Sequence, residues 1–117
     1  MYLETLRNHL LSKAGTSEGL PFGPQALVFK VLDKMFAIIA LDETPPRVTL
    51  KCDPDRALSL RDRYDAVRPG YHTNKKHWNT IVLDGTVPDD ELLELSDHSY
   101  DLVVGGMTKA NRAKLKH

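Results

Sequence analysis

ALVFKVLDKMFAIIALDETPPRVTLKC, residues 26–52, decides the fold class. Two strand-like runs, ALVFKVL and KMFAIIAL, are separated by a turn signal near Asp33-Lys34. Thr44-Pro45-Pro46 makes the next connection, and RVTLKC alternates Val48, Leu50 and Cys52 on one side of a third strand. Parallel strands need a crossover of a dozen or so residues, so connections this short predict antiparallel neighbours.

Upstream, residues 16–25 (TSEGLPFGPQ) hold two prolines and two glycines and read as a loop. Before it, Leu3, Leu6, Leu10 and Leu11 recur at helical spacing over residues 2–13, and Gly15 stops the pattern. Downstream, Asp53 can cap free amides and Pro54 suits a first helical position, with Ala57, Leu58 and Leu60 as apolar contacts. Tyr64 to Pro69 reads as a bend or short strand, and Asn79 to Leu83 as a fourth clear strand closed by Asp84-Gly85. Pro88 opens a helical region with Asp89, Asp90 and Glu91 in its first turn, where carboxylates face exposed amides. Leu92, Leu93 and Leu95 supply its apolar side. A break is expected near Ser96–Ser99, then a second helix carrying Tyr100, Val103, Val104 and Met107, with Gly105-Gly106 opposing any longer helix. The expected fold class is α+β: one antiparallel sheet with N- and C-terminal helices packed on a face.

The 117 residues fit one domain spanning 1–117. The apolar share of 41% and charged share of 27% are those of a water-soluble globule. Phe36 to Leu41 is the longest apolar run and is too short to cross a bilayer, so no membrane partner is expected. The N-terminus lacks the basic region and apolar stretch of a signal peptide. A lone cysteine, Cys52, excludes an internal disulfide and reads as a buried thiol, so the expected compartment is the cytoplasm.

Sixteen basic residues balance sixteen acidic ones, but unevenly. Residues 61–80 carry Arg61, Arg63, Arg68, Lys75 and Lys76 against Asp62 and Asp65. Residues 84–101 carry seven carboxylates without a lysine or arginine. The last nine positions are basic again. A neutral total argues against strong non-specific nucleic-acid binding and leaves room for a local patch.

The densest chemistry lies in PGYHTNKKHWNTIVLDG, residues 69–85. Asn74 can cap a short turn over 74–78 that presents Lys75 and Lys76 beside His72 and His77, which suits phosphate contact through mobile ammonium charges. Trp78 reads as a core or rim anchor, and Tyr71 either as a phosphate ligand or as closure of the sheet edge. His72 and His77 stand five apart, without metal-ligand spacing, and the acids of 89–101 lack the alternation of a calcium loop, so no metal is expected. The serines sit in no nucleophile-elbow motif, Lys51 and Cys52 point to opposite faces of a strand, and no phosphate-loop glycines occur. The chain is therefore expected to be non-enzymatic and without a cofactor.

P-G-Y-H-x-N-K-K-H-W-N-T at 69–80, with L-D-G at 83–85, S-Y-D-L-V-V at 99–104, the F-K-V hairpin and C-D-P at 52–54, resembles the MmcQ/YjbR-like family over nearly the whole chain. That resemblance implies a frataxin-like (CyaY-like) α+β layering and a monomeric, cytoplasmic, DNA-binding protein. It offers Tyr71, His72, Asn74, Lys75, Lys76, His77 and Trp78 as the matching positions without saying which touches a ligand. The first helix carries only Glu4, which departs from the acidic first helix of a frataxin and counts against iron delivery. The leading expectation is a module that meets phosphates of double-stranded DNA through Lys75, Lys76, Arg61, Arg63 and Arg68, with Asn74 or His72 available for bases. The alternative is a small protein- or ligand-binding domain using a Tyr71/His72/Trp78 surface. An enzyme would need His72 or His77 beside a buried carboxylate or Cys52.

Overall fold

In the computed structural model, residues 1–70 and 73–115 are described. The elements run α1 (Leu3–Leu11), β1 (Thr16–Gly19), β2 (Ala26–Val31), β3 (Lys34–Ala40), β4 (Arg47–Lys51), α2 (Pro54–Arg63), β5 (Val67–Pro69), β6 (Trp78–Val82), α3 (Asp89–Gly105) and α4 (Lys109–Ala113). The strands form one antiparallel sheet in the order β1-β2-β3-β4-β6-β5. The α+β class and the antiparallel meander agree with the sequence reading.

The β2–β3 hairpin turns on Leu32 (φ 45°) and Asp33 (φ 69°), one residue earlier than the Asp33-Lys34 pair suggested. Two consecutive left-handed residues are what a tight two-residue hairpin loop demands. Asp tolerates that conformation, whereas Leu32 adopts it under strain while its side chain packs on the core. Thr16–Gly19 is a strand and not loop, because its backbone pairs with β2 from Thr16↔Val31 to Gly19↔Val28. A Thr-Ser-Glu-Gly edge has little intrinsic strand preference, so pairing alone creates it. The middle helix starts as expected, with Asp53 accepting from the Arg56 amide at 3.1 Å and Pro54 in the first position. Ala57 and Leu60 are buried, but Leu58, expected as an apolar contact, is 58% exposed.

α3 runs unbroken through Ser96–Ser99, contrary to the expected break. Both serines are fully buried and have partners. The Ser96 hydroxyl donates to the Leu92 carbonyl one turn back at 2.9 Å. That of Ser99 donates to the Phe36 carbonyl at 2.5 Å and accepts from the Lys51 amide at 2.9 Å, joining α3 to β3 and β4. The polar stretch thus fits a buried helix face, and the helix ends at Gly105–Gly106 as the glycines suggest.

The cover from α1, α2 and α3 lies on one side. Leu6 and Leu10 of α1, Ala57 and Leu60 of α2, and Leu92, Leu95 and Val103 of α3 share one core with Phe29, Ile39, Val48, Leu50 and Ile81 of the sheet. Cys52 belongs to that core, and burial, its largest influence, pushes the thiol above its ordinary pKa, as expected of an inert cysteine. Ion pairs stitch the helix layer: Met1 amine to Asp89 (3.2 Å), Arg7 to Glu18, Lys13 to Asp97 (2.5 Å) and Arg56 to Glu94.

Ser99→Ala is expected to lower stability by roughly 1–3 kcal/mol, since it strands a buried carbonyl and a strand amide. A lower urea midpoint at unchanged slope is the readout, and an unchanged midpoint refutes it. Acid sensitivity follows from Asp97. Burial, the largest single influence, pushes its carboxyl up, but the hydrogen bonds and charges of Lys13 and His9 together hold it below its ordinary value. A depressed acid stabilises the fold above its unfolded pKa of about 3.9, and the contribution disappears as pH falls through the folded value. Asp97→Asn should therefore flatten the acid limb of stability below about pH 4 relative to the parent chain, measured by denaturation across pH.

Candidate functional site

Among the residues singled out from sequence, Tyr71 and His72 lie outside the described residues. The others divide into those that build the 73–78 turn and those that remain free. Asn79 pairs with Leu50 across β4–β6 on the core side of the sheet and is 2% exposed, so its amide needs internal partners. Arg61, on the last turn of α2, donates from Nε to Asn79 Oδ1 at 2.7 Å, while Asn79 Nδ2 donates to the Ala57 carbonyl at 3.3 Å. The Arg61 fork continues to the Lys75 carbonyl and, at 3.3 Å, to that of Trp78. Lys75 Nζ donates to the Gly70 carbonyl at 3.0 Å. Asn74 Oδ1 accepts from the Lys76 amide at 3.0 Å, and the His77 amide donates to the Asn74 carbonyl at 3.1 Å, giving the expected capped turn. The His77 carbonyl accepts from the Cys52 amide at 2.8 Å. Gly70 is needed where it stands: a Cβ there would come within 2.2 Å of Thr73 Oγ1 and 2.7 Å of Trp78 Cβ.

Arg61, Lys75 and Asn74 thus use their polar groups to hold the turn against α2 and β6. Arg63 stacks over the Tyr64 ring at 5.1 Å. Arg68 and Lys76 are exposed, and their side chains have no hydrogen-bond or ion-pair partner among the described residues.

The uncovered face of the sheet follows from register. Gly19, Val28, Ile38, Thr49, Thr80 and Arg68 form one cross-strand row. Lys30 with Met35, and Lys51 with Trp78, lie one step to one end, and Ala26, Ala40, Arg47 and Val82 one step to the other. This face holds an open cleft of about 890 Å³, floored by Ala26, Met35, Ile38 and Ala40 and rimmed by the Phe22, Asp42/Glu43 and Thr73 loops. Thr49 and Thr80 share a buried hydroxyl–hydroxyl bond of 2.8 Å at its base.

Ion pairing differs between the layers. The carboxylates Asp89, Glu94 and Asp97 of α3 pair with cations on the helix side. Lys30, Lys51 and Arg68 point away from that layer and have no ion pair among the described residues, and Arg47 stands 3.9 Å from Glu43. Sequence reasoning missed this face and its cleft. The available signal was β3, whose residues 36–41 are apolar on both sides, one more apolar face than a single helical layer can cover. Among the described residues, no three histidines, cysteines or carboxylates converge to hold a metal ion, and no helix is long and apolar enough to cross a membrane.

Residues 11–102 match the YjbR family model. The YjbR protein of Escherichia coli K12 is 35% identical over 115 residues, covering 98% of both chains. YyaQ of Bacillus subtilis is 28% identical over 85% of this chain and 95% of its own. The crystal structure of Deinococcus radiodurans protein DR2400 superposes with a TM-score of 0.90 at 44% identity, over 97% of this chain and 86% of that one. A Pseudomonas syringae protein superposes at 0.77 with 26% identity, over 88% of this chain and 99% of that one.

Arg61→Met keeps the aliphatic stem and removes the fork, so a loss of roughly 1–3 kcal/mol is expected, together with faster amide exchange across 74–78. Arg61→Lys should not restore protection, because one ammonium cannot reproduce a planar fork spread over three acceptors. Unchanged exchange in Arg61→Met would show that the turn holds itself.

Proposed function

The chain belongs to the YjbR family, and from that premise we propose that it is a non-enzymatic, monomeric, cytoplasmic protein that binds double-stranded DNA through its backbone phosphates. The frataxin-like (CyaY-like) layering is part of the same reading. The observation that carries it is the distribution of charge. Asp89, Glu94 and Asp97 are paired on the helix layer, whereas Lys30, Lys51 and Arg68 on the bare sheet face and Lys76 in the turn beside it have no ion pair among the described residues, although the charge of Arg68 reaches Asp84. Phosphate oxygens are met best by cations whose donors are not already engaged. That criterion favours Arg68, Lys76, Lys30 and Lys51, and assigns Arg61 and Lys75 to holding the surface in shape. Arg63 contributes at the margin, and His77 and Asn74 are held by the turn's own backbone bonds. Contacts of this kind orient a duplex without reading its sequence.

A second reading, a small ligand-binding domain, is favoured by the cleft on the same face, with Trp78 at one end of that face.

The test is fluorescence anisotropy with a labelled duplex across a salt series. About four phosphate contacts predict a log–log salt slope near −3.6, and Arg68→Gln or Lys76→Gln should each reduce its magnitude by about one without altering thermal stability. Absence of binding at low salt overturns the reading. Binding that survives both substitutions with an unchanged slope moves the surface elsewhere.

A further inference from the structure

Three buried side-chain polar atoms lack a hydrogen-bond partner among the described residues, and two of them, Arg47 Nε and Thr73 Oγ1, belong to residues that line the cleft. The third, Thr16 Oγ1, sits on β1 opposite Val31, on the helix side. A buried N–H without an acceptor is costly, and Nε can only donate, so the cleft presents an unmet demand for an acceptor at Arg47. Arg47 Nη2 is 3.9 Å from Glu43 Oε2, which steadies the guanidinium without a hydrogen bond. Its Nε–Nη2 edge is the fork that fits a carboxylate through two parallel bonds.

We propose that this cleft binds a small monocarboxylic acid with an apolar body. The carboxylate takes the Arg47 fork. The apolar part lies on Met35 and Ile38 beneath Phe22, which is 72% exposed on the rim loop. Thr73 Oγ1 offers a hydrogen bond to any second polar group of the ligand. The volume, about 890 Å³, is within the range of small-molecule sites, and the lining combines an apolar floor with few polar groups. Asp42 and Glu43 stand at the same mouth, so a multiply charged phosphate meets more repulsion there than a single carboxylate does. The proposal deepens the ligand-binding reading and is independent of the DNA one, whose cations lie along the other end and edge of the face.

The experiment is an NMR titration of the ¹⁵N-labelled full chain with 3-phenylpropanoate, its neutral amide 3-phenylpropanamide, and inorganic phosphate. Saturable shifts at Ile38, Arg47, Thr49, Thr73 and Thr80 with the acid are expected, and Arg47→Gln should weaken them roughly tenfold or more. Retained dispersion of the variant's spectrum reports that it is folded, and the acid–amide comparison decides the matter without any variant. Equal binding of the amide at these residues overturns the carboxylate assignment and leaves a ligand-binding cleft. Equal binding of phosphate overturns the apolar-acid assignment in favour of a bare anion site. No saturable shift from acid or amide up to about 10 mM overturns both this proposal and the ligand-binding reading.

Discussion

A six-stranded sheet has two faces, and here a single helical layer covers one of them. The arrangement of the chain depends on that asymmetry. On the covered side, Phe29, Ile39, Val48, Leu50 and Ile81 meet the apolar stripes of three helices, and hydrophobic burial of this kind is the main force holding such a domain together. The opposite face is finished by loops and by half-buried side chains. Val28 is 2% exposed yet stands outside the main core cluster, and Thr49 and Thr80 are buried with their hydroxyls bonded to each other. Lys30 and Lys51 are half-buried on the same surface, with apolar stems available to cover it, and Arg47 beside the cleft has its Nε buried. A face so constructed is apolar near its middle and cationic along much of its margin.

The edge of that face requires its own support. β5 is three residues long, and a short edge strand contributes little pairing by itself. The Arg61–Asn79 contact compensates by joining α2 to β6 and, through the Lys75 and Trp78 carbonyls, to the turn between β5 and β6. Gly70 permits the close approach, and the Lys75 ammonium closes on the Gly70 carbonyl. The dense 69–80 block is therefore largely a construction of mutually dependent hydrogen bonds. Among its described residues, Arg61, Asn74 and Lys75 hold the turn in place, while the side chains of Lys76 and, on β5, Arg68 are exposed.

Much of the fold was legible because its signals are local. The β2–β3–β4 meander announces itself through short connections and strand-like runs, the Asp53-Pro54 start through capping chemistry, and the family through the 69–80 block with its flanking motifs. The misses have one physical source, which is tertiary context. β1 is a strand only because β2 offers it a ladder, and α3 passes Ser96 and Ser99 only because Leu92 and Phe36 supply carbonyls for them. The site was less legible for the same reason. Arg61 and Lys75 look like free cations in sequence, and their acceptors are backbone carbonyls whose positions no pattern encodes. The cleft, likewise, is assembled from four strands and three loops, and its only local trace is a β3 run apolar on both sides.

The two ends of the uncovered face differ in a way that bears on both functional readings. Lys30, Lys51 and Lys76 gather toward the Trp78 end, with Arg68 along the edge, whereas Arg47 at the opposite end has Asp42 and Glu43 beside it. At physiological ionic strength, screening acts within about 8 Å, and a chain with no net formal charge has little long-range field to guide a polyanion. Any duplex held here is held by contacts at close range along the basic end. A small acid at Arg47 needs no such field, since a hydrogen-bonding fork in a partly desolvated cleft acts through geometry at contact distance. The two proposals therefore draw on different cations and different distance scales, and neither excludes the other.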